Sequence, residues 1–102
     1  MKYEFLTLAR AELEAAFDFY EDRRPGLGDD FTAEVESTIS RILQSPTTWT
    51  KLSGNIHRCR LPAFPYAVIY QIRRDLILVL AVAHSRRDPN YWKGRLGSKK
   101  LP

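Results

Sequence analysis

The fold is decided by Leu76-Ile77-Leu78-Val79-Leu80-Ala81-Val82-Ala83, a stretch without a single polar side chain. An apolar run of this length predicts a strand in the middle of a sheet, with both of its faces covered. The run is too short to cross a bilayer, which takes roughly 20 apolar residues in a helix. The rest of the chain is therefore expected to build a core around this strand.

The residues before this run predict two more strands, joined by short turns. Residues 66–73 form a strand-like stretch, and Arg73-Arg74-Asp75 makes a tight turn into the apolar run. Residues 56–61 alternate, so one face of that strand carries Arg58 and Arg60 while the other carries His57, Cys59 and Leu61. Strands connected this closely are expected to pair as an antiparallel meander.

The first half of the chain follows a helical period instead. Apolar residues recur at spacings of three and four from Ala9 to Tyr20, and predict a helix of about four turns with Thr7 as its N-cap. The glycines and proline of residues 25–28 end this helix. Asp29 and Asp30 are expected to cap a second helix, which Pro46 ends. So short a connection implies an antiparallel helical hairpin. The acidic residues that fall on the exposed side of the first helix are Glu12, Glu14, Asp18 and Asp22.

The predicted element order is β-α-α-β-β-β. This is an α+β fold of two layers, in which an α-helical hairpin packs on a mainly antiparallel four-stranded sheet. The first strand, within residues 2–8, is expected beside the apolar run, and the sheet face opposite the helices should stay open and carry Arg58 and Arg60. A chain of 102 residues fits one domain, residues 1–102. Its last part is expected to form a short helical turn near residues 89–92 and then a loose basic tail over residues 93–102.

Charge divides the chain into two unlike halves. Residues 1–54 hold 6 Lys and Arg against 10 Asp and Glu, a balance of −4. Residues 55–102 hold 10 Lys and Arg against 2 Asp and Glu, a balance of +8. The basic half indicates a polyanion or an acidic protein surface as partner, although the same residues would also serve to solvate an exposed sheet face.

The cysteine content and the first residues bear on the compartment. A single cysteine, Cys59, excludes an internal disulfide and fits a reducing environment. Glu4 places a charge where a signal peptide would be apolar. We therefore expect a cytoplasmic protein with no membrane partner. Two histidines and one cysteine, with few acids in the basic half and no Gly-rich phosphate loop, predict neither a metal site nor a cofactor.

Four stretches, taken in order, resemble the RelE/ParE superfamily of bacterial toxins. Residues 16–21 with Pro25-Gly26-Leu27-Gly28 are similar to its helical hairpin, and Pro46-Thr47-Thr48-Trp49 is similar to its linker into the sheet. Arg58, followed by Phe64-Pro65-Tyr66-Ala67-Val68-Ile69-Tyr70, resembles its middle strands. Residues 81–92 resemble its C-terminal signature. The set covers residues 3–92 and agrees with the element order predicted above.

The resemblance implies the toxin of a type II toxin–antitoxin system, which arrests growth when free and is neutralised by a cognate antitoxin. ParE-like members of the superfamily poison DNA gyrase, and RelE-like members cut mRNA on the ribosome. The long hairpin with its Pro-Gly-Leu-Gly turn is more similar to the ParE side. Many relatives carry two adjacent arginines where this chain has His57-Arg58, and the RNA-cutting members are lysine-rich where it has only Lys51. Both departures weigh against RNA cleavage.

RNA cleavage without a metal would place specific demands on these residues. A group must activate the 2′-hydroxyl, another must stabilise the charged transition state, and a third must protonate the leaving oxygen. The predicted catalytic residues of this alternative are Arg58 and Arg86 for charge, with Tyr91 and His84 for proton transfer. His84 closes an apolar strand, however, and a structural hydrogen bond at the sheet edge is the other role open to it and the one we favour.

A toxin directed at a protein needs only a shaped, charged surface. We predict gyrase inhibition, with mRNA cleavage and a non-toxic basic nucleic-acid-binding module as alternatives, because an arginine is a poor base. Arg58, Arg86 and Tyr91 are expected to lie near one another on the open sheet face. Cys59 is expected to be a small buried apolar residue, since two positions along a strand place it about 7 Å from His57. The predicted partner-binding residues are Arg58, Arg60, Arg86, Arg87 and Trp92, although core packing is an open alternative for Trp92.

Overall fold

The computed structural model describes residues 1–97, which fold into a helical layer and a sheet layer as predicted. The helices are α1 (Thr7–Arg23), α2 (Leu27–Gln44) and the short α3 (Gly94–Gly97), which follows a 3-10 turn at Tyr91–Lys93. The strands are β1 (Lys2–Phe5), β2 (Thr50–Ser53), β3 (Ile56–Arg60), β4 (Tyr66–Arg73) and β5 (Leu76–His84). Within the described part of the chain, no helix is both long and apolar enough to span a bilayer.

The sheet has the strand order β1-β5-β4-β3-β2. The apolar run forms β5 and is flanked by β1, which pairs with it in parallel, and by β4, which pairs with it antiparallel. This confirms both the meander and the position predicted for the first strand. The sheet has five strands and not the four predicted, because residues 50–53 add β2 at the edge beside β3. Thr-Lys-Leu-Ser is short and largely polar, so it carries no alternating apolar pattern.

A β-bulge interrupts β5 at Leu80. Ala81 pairs with Ile69 and Val79 pairs with Tyr70, so Leu80 has no residue opposite it on β4. Leu80 and Ala81 consequently both point to the sheet face away from the helices, which we call the outer face. The bulge also shifts which backbone groups of β5 point toward its β1 edge.

The helical hairpin covers the other face of the sheet, as predicted. Tyr70 is fully buried there, and its hydroxyl donates to the backbone oxygen of Pro46 at 2.6 Å. The core between the layers contains Ala9, Ala16, Phe31, Val35, Ile39 and Ile42 from the helices, and Cys59, Leu61, Val68, Tyr70, Ile77, Val79 and Val82 from the strands.

The helix N-termini differ from the predicted ones. Leu6, and not Thr7, is the N-cap of α1, and no side chain in the described part of the chain makes a capping hydrogen bond there. Asp29 and Asp30 lie in the first turn of α2 and not at its cap, where Gly26 adopts a left-handed conformation with φ of 91°. The acidic pair therefore faces the positive end of the helix dipole without capping it.

Glu21 provides the capping hydrogen bonds at the start of α2 that we predicted for those aspartates. Its carboxylate accepts hydrogen bonds from the backbone N–H groups of Gly26 and Gly28, each at 2.9 Å. A side chain near the end of α1 therefore satisfies free N–H groups at the start of α2. This contact fixes the hairpin turn.

The outer face of the sheet is not open over its whole area, which corrects the prediction. Residues 89–96, which we call the return segment, fold back over it. Trp92 and Leu96 of this segment pack against a second apolar cluster, which contains Ile56, Ile69, Leu78, Leu80, Ala81 and Ala83. The predicted loose tail is also wrong in part, because residues 94–97 are helical. The remainder of that tail, residues 98–102, lies outside the described residues.

Candidate functional site

A cleft of about 280 Å³ lies on the outer face, between the end of β3, the start of β4 and the return segment. Among residues 1–97, four lining residues are cationic, namely Arg58, Arg60, Arg87 and Lys93, and one is acidic, Asp88. The remaining walls are largely apolar and aromatic, and include Leu52, Leu61, Phe64, Tyr66, Ile69 and Trp92. An apolar groove with a cationic lining suits an anionic partner that also presents apolar groups.

Arg58 and Arg60 project from β3 into this cleft, as the strand alternation predicted. Arg60 is exposed, whereas Arg58 is half-buried. The Nε of Arg58 is buried and has no hydrogen-bond partner among residues 1–97. A buried guanidinium N–H without an acceptor is costly, and a bound anion would relieve that cost.

Tyr91 also lines the cleft, but its hydroxyl is already engaged. It donates a hydrogen bond to Oε2 of Glu12 at 2.8 Å. Burial, together with this hydrogen bond, raises the pKa of Tyr91 above its usual range. A phenol whose proton is held by a carboxylate, and whose ionisation is disfavoured, is poorly placed to transfer that proton to or from a substrate.

Arg87 lines the cleft beside Tyr91. Its guanidinium carbon lies 3.7 Å from the centroid of the Tyr91 ring, a stacked cation–π contact. Nη1 of Arg87 also lies 3.9 Å from Oε2 of Glu12, although the Arg87 side chain remains 52% exposed. Arg87 therefore keeps a positive charge at the cleft wall while its face is held by an aromatic ring.

His84 lines the cleft together with Arg58, whereas Arg86 does not. The His84 ring packs edge-on against Tyr66, with centroids 5.0 Å apart, and its Nδ1 accepts the backbone N–H of Arg86 at 3.0 Å. Both contacts match a structural role at the end of β5. Arg86 is exposed in the turn after β5 and is not among the residues that line the cleft. The structure thus brings Arg87, and not Arg86, together with Arg58 and Tyr91.

Comparison with known proteins identifies the family. Residues 3–89 match the family model of the ParE toxin of the type II toxin–antitoxin system parDE. The chain belongs to the ParE toxin family. It is 31% identical over 80 residues to Toxin ParE2 of Mycobacterium tuberculosis, in strains CDC 1551 / Oshkosh and H37Rv, which covers 78% of this chain and 76% of the relative. Its fold is similar to that of a chain in the chromosomal ParDE toxin–antitoxin system from P. aeruginosa, with a TM-score of 0.71. That match covers 82% of this chain and 95% of the other at 15% sequence identity.

Membership of the ParE toxin family confirms the resemblance that the sequence motifs indicated. It also implies an antitoxin as partner, since the family is defined by paired toxin–antitoxin systems. In this ParE-family chain the cleft is the surface with the highest concentration of the residues that we predicted to contact a partner. Arg58, Arg60 and Arg87 all line it.

Trp92 contributes differently from the arginines. It is only 2% exposed, and its Nε1 donates to the backbone oxygen of Pro89 at 2.9 Å. A side chain this deeply buried offers a partner almost no surface, and its position supports the packing alternative. Cys59 is likewise 2% exposed, and burial raises the pKa of its thiol, which does not favour a nucleophile.

The residue that sequence reasoning missed is Glu12. Helical periodicity placed it on the exposed side of α1, yet its side chain is only 16% exposed. The return segment covers it, and that segment lies about 80 residues further along the chain. No local pattern signals such a contact, because a helix period reports only which residues share a face.

Proposed function

We propose that this ParE-family toxin arrests growth by binding and inhibiting DNA gyrase, and that its cationic cleft makes the essential contact without catalysing a reaction. The observation that carries the proposal is the commitment of the Tyr91 hydroxyl to Glu12 beside the arginines of the cleft. The site collects positive charge and apolar surface, which bind a partner, but it holds the phenol of Tyr91 in a form unsuited to proton transfer.

The position of His84 supports the same conclusion. RNA cleavage would need a proton-transfer group close to the guanidinium that stabilises the transition state. His84 has one ring nitrogen occupied by the Arg86 backbone and its ring packed on Tyr66. His84 lines the same cleft as Arg58. What disfavours it as a proton-transfer group is therefore these two contacts, which hold its ring at the end of β5.

We further propose that the antitoxin neutralises the toxin with an acidic, amphipathic segment that occupies the cleft. Such a segment matches the four cations and the apolar walls described above. The outward edge of β2 pairs with no strand among the described residues, so an extended segment has a strand edge beside the cleft to pair with.

The proposal is tested first in cells, by inducing the toxin alone and together with the product of the neighbouring reading frame. Growth should stop in the first case and continue in the second. Unimpaired growth with full-length folded protein present would contradict the proposal. Growth arrest that the neighbouring product does not relieve would contradict the neutralisation by that product.

The role of the cleft is tested with purified protein in a gyrase supercoiling reaction. Arg60→Gln removes an exposed charge from the cleft and should raise the half-inhibitory concentration by about tenfold, the loss expected when an arginine is one of the principal contacts of an interface. Arg74→Gln is the matched control, because Arg74 is also an exposed arginine but lies in the β4–β5 turn, at the opposite end of the sheet. Equal inhibition by both variants would show that the cleft is not the contact surface.

A further inference from the structure

The return segment is held at one point by an unusual concentration of hydrogen bonds on Glu12. Its Oε2 accepts from the Tyr91 hydroxyl at 2.8 Å and from Nη2 of Arg95 at 2.7 Å. Its Oε1 accepts from Nη1 of Arg95 at 3.1 Å and from the backbone N–H of Val82 at 3.0 Å. One carboxylate thus joins α1, β5 and two residues of the return segment.

The backbone of β5 explains why a carboxylate and a guanidinium meet here. β1 pairs with β5 only as far as Val79, so the next backbone groups on that edge have no strand partner among residues 1–97. Glu12 accepts the N–H of Val82, and Nη1 of Arg95 donates to the backbone oxygen of Leu80 at 2.8 Å. The two side chains therefore take the place of a strand beside the bulge, where an unpaired buried group would be costly.

The Tyr91 ring connects the hydrogen bonds of Glu12 to the cleft. Glu12 holds the Tyr91 hydroxyl, and the Tyr91 ring carries the Arg87 guanidinium at 3.7 Å. Arg95 stacks on the same ring, with its guanidinium carbon 5.0 Å from the centroid. Neither Glu12 nor Arg95 is among the residues that line the cleft, whereas Tyr91 and Arg87 both are.

We propose that Glu12 is a positioning residue for the cleft, which clamps the return segment onto the outer face and thereby holds Tyr91 and Arg87 in place for the toxin's target. The proposal rests on the proposed function in that the cleft is taken as the contact surface. It assigns to a residue of α1, outside the cleft, control over how the cleft presents its charge. The clamp is made of ion-pair and hydrogen-bond contacts, so its loss loosens the segment without removing an apolar side chain from the core, where Trp92 still packs.

The first test measures the clamp itself, by amide hydrogen exchange in the free toxin. Glu12→Gln keeps the shape of the side chain and removes its charge. It should speed exchange in residues 89–96 by at least about tenfold and leave α2 and β4 unchanged, as expected for a local opening. Glu14→Gln is the matched control, since Glu14 is exposed on the same helix and loses the same charge. Unchanged exchange in residues 89–96 of Glu12→Gln would overturn the clamp.

The second test measures function in two ways, as growth arrest on induced expression and as inhibition of gyrase supercoiling. Glu12→Gln should weaken both by about tenfold at a temperature where the variant is fully folded, and Glu14→Gln should weaken neither. Full activity of Glu12→Gln with a loosened return segment would overturn the positioning role. Growth arrest can be measured without knowing the target. If the wild-type protein arrests growth but does not inhibit gyrase, gyrase is refuted as the target. The positioning role of Glu12 is then tested by growth arrest alone.

A double-mutant cycle separates positioning from general loss of structure. Tyr91→Phe removes the hydroxyl that links Glu12 to the cleft and should weaken activity in the same direction as Glu12→Gln. The double variant should be no less active than the less active of the two single variants, because both changes break the same connection from Glu12 through Tyr91 to the cleft. Losses that add in the double variant would show that Glu12 acts independently of Tyr91, and would overturn the proposal.

Discussion

At the residue scale, the tightest steric constraint in the hairpin falls on Gly28. A Cβ added there would lie 2.8 Å from the backbone oxygen of Phe17 and 2.8 Å from its ring, closer than the helices permit. We expect Gly28→Ala to lower the free energy of unfolding by about 1–3 kcal/mol, because the backbone of α1 must move. Gly94→Ala is the control, since a Cβ at Gly94 meets nothing within 4 Å among residues 1–97. Chemical denaturation of both variants measures the difference, and an undisturbed Gly28→Ala would refute the close approach of the helices.

Tyr70, which is buried, and Tyr91, which is partly buried, should limit the stability of the protein at alkaline pH. Burial raises the pKa of Tyr70, and burial with the Glu12 hydrogen bond raises that of Tyr91. Their neutral forms are favoured in the folded state, so the stabilisation is complete below the unfolded pKa of about 10 and is lost as the pH rises above it. The free energy of unfolding, measured by denaturation between pH 8 and 11, should fall steeply above pH 10. The free energy of unfolding of Tyr91→Phe should fall less steeply with pH than that of the wild-type protein. Identical slopes for the two proteins would contradict the raised pKa of Tyr91.

At the scale of elements, the return segment is a structural part of the sheet layer. Trp92 is its deepest side chain, and it packs in the outer apolar cluster. We expect Trp92→Ala to lower the free energy of unfolding by about 3–5 kcal/mol, as for other buried aromatic side chains. If the variant instead kept its stability and lost only antitoxin binding, Trp92 would be a partner contact and not a core residue. Thermal unfolding and a titration with antitoxin distinguish the two results.

The elements that could be predicted are those whose buried face makes apolar residues recur at a regular spacing in the sequence. The apolar run of β5 indicates a strand with both faces buried, and the apolar stripes of α1 and α2 indicate helices with one buried face. These patterns were enough to predict both layers and the meander. β2 was not predicted, because a short polar edge strand has only one paired side and little apolar content. The cap of α2 was assigned to aspartates because the reach of Glu21 across the turn depends on the hairpin geometry.

The same reasoning explains the partial success at the cleft. Arg58 and Arg60 were placed on the correct sheet face by alternation alone. Arg86 and Arg87 are adjacent in a turn, where no periodicity distinguishes the arginine that lines the cleft from the one that does not. Glu12 was unpredictable from its surroundings in the sequence, since its partners become neighbours only when the return segment folds back.

At the scale of the whole molecule, charge is divided between an acidic first half and a basic second half. The cleft belongs to the basic half and presents four cations. We expect the association rate with the antitoxin to fall steeply as salt rises from about 0.05 to 0.5 M, because screening shortens the range of the attraction. Arg60→Glu should slow association further, and stopped-flow measurements record both effects. A rate independent of salt would show that apolar contacts alone guide the partners together.

The central claim is that this toxin inhibits gyrase and does not cut message. The most direct measurement applies one preparation of the purified protein to two reactions, gyrase with supercoiled DNA and ribosomes translating a defined mRNA. We predict loss of supercoiling with trapped, cleaved DNA in the first reaction, and full-length message by primer extension in the second. Codon-phased cuts in the message that disappear in Arg58→Gln, together with undisturbed gyrase, would contradict the account.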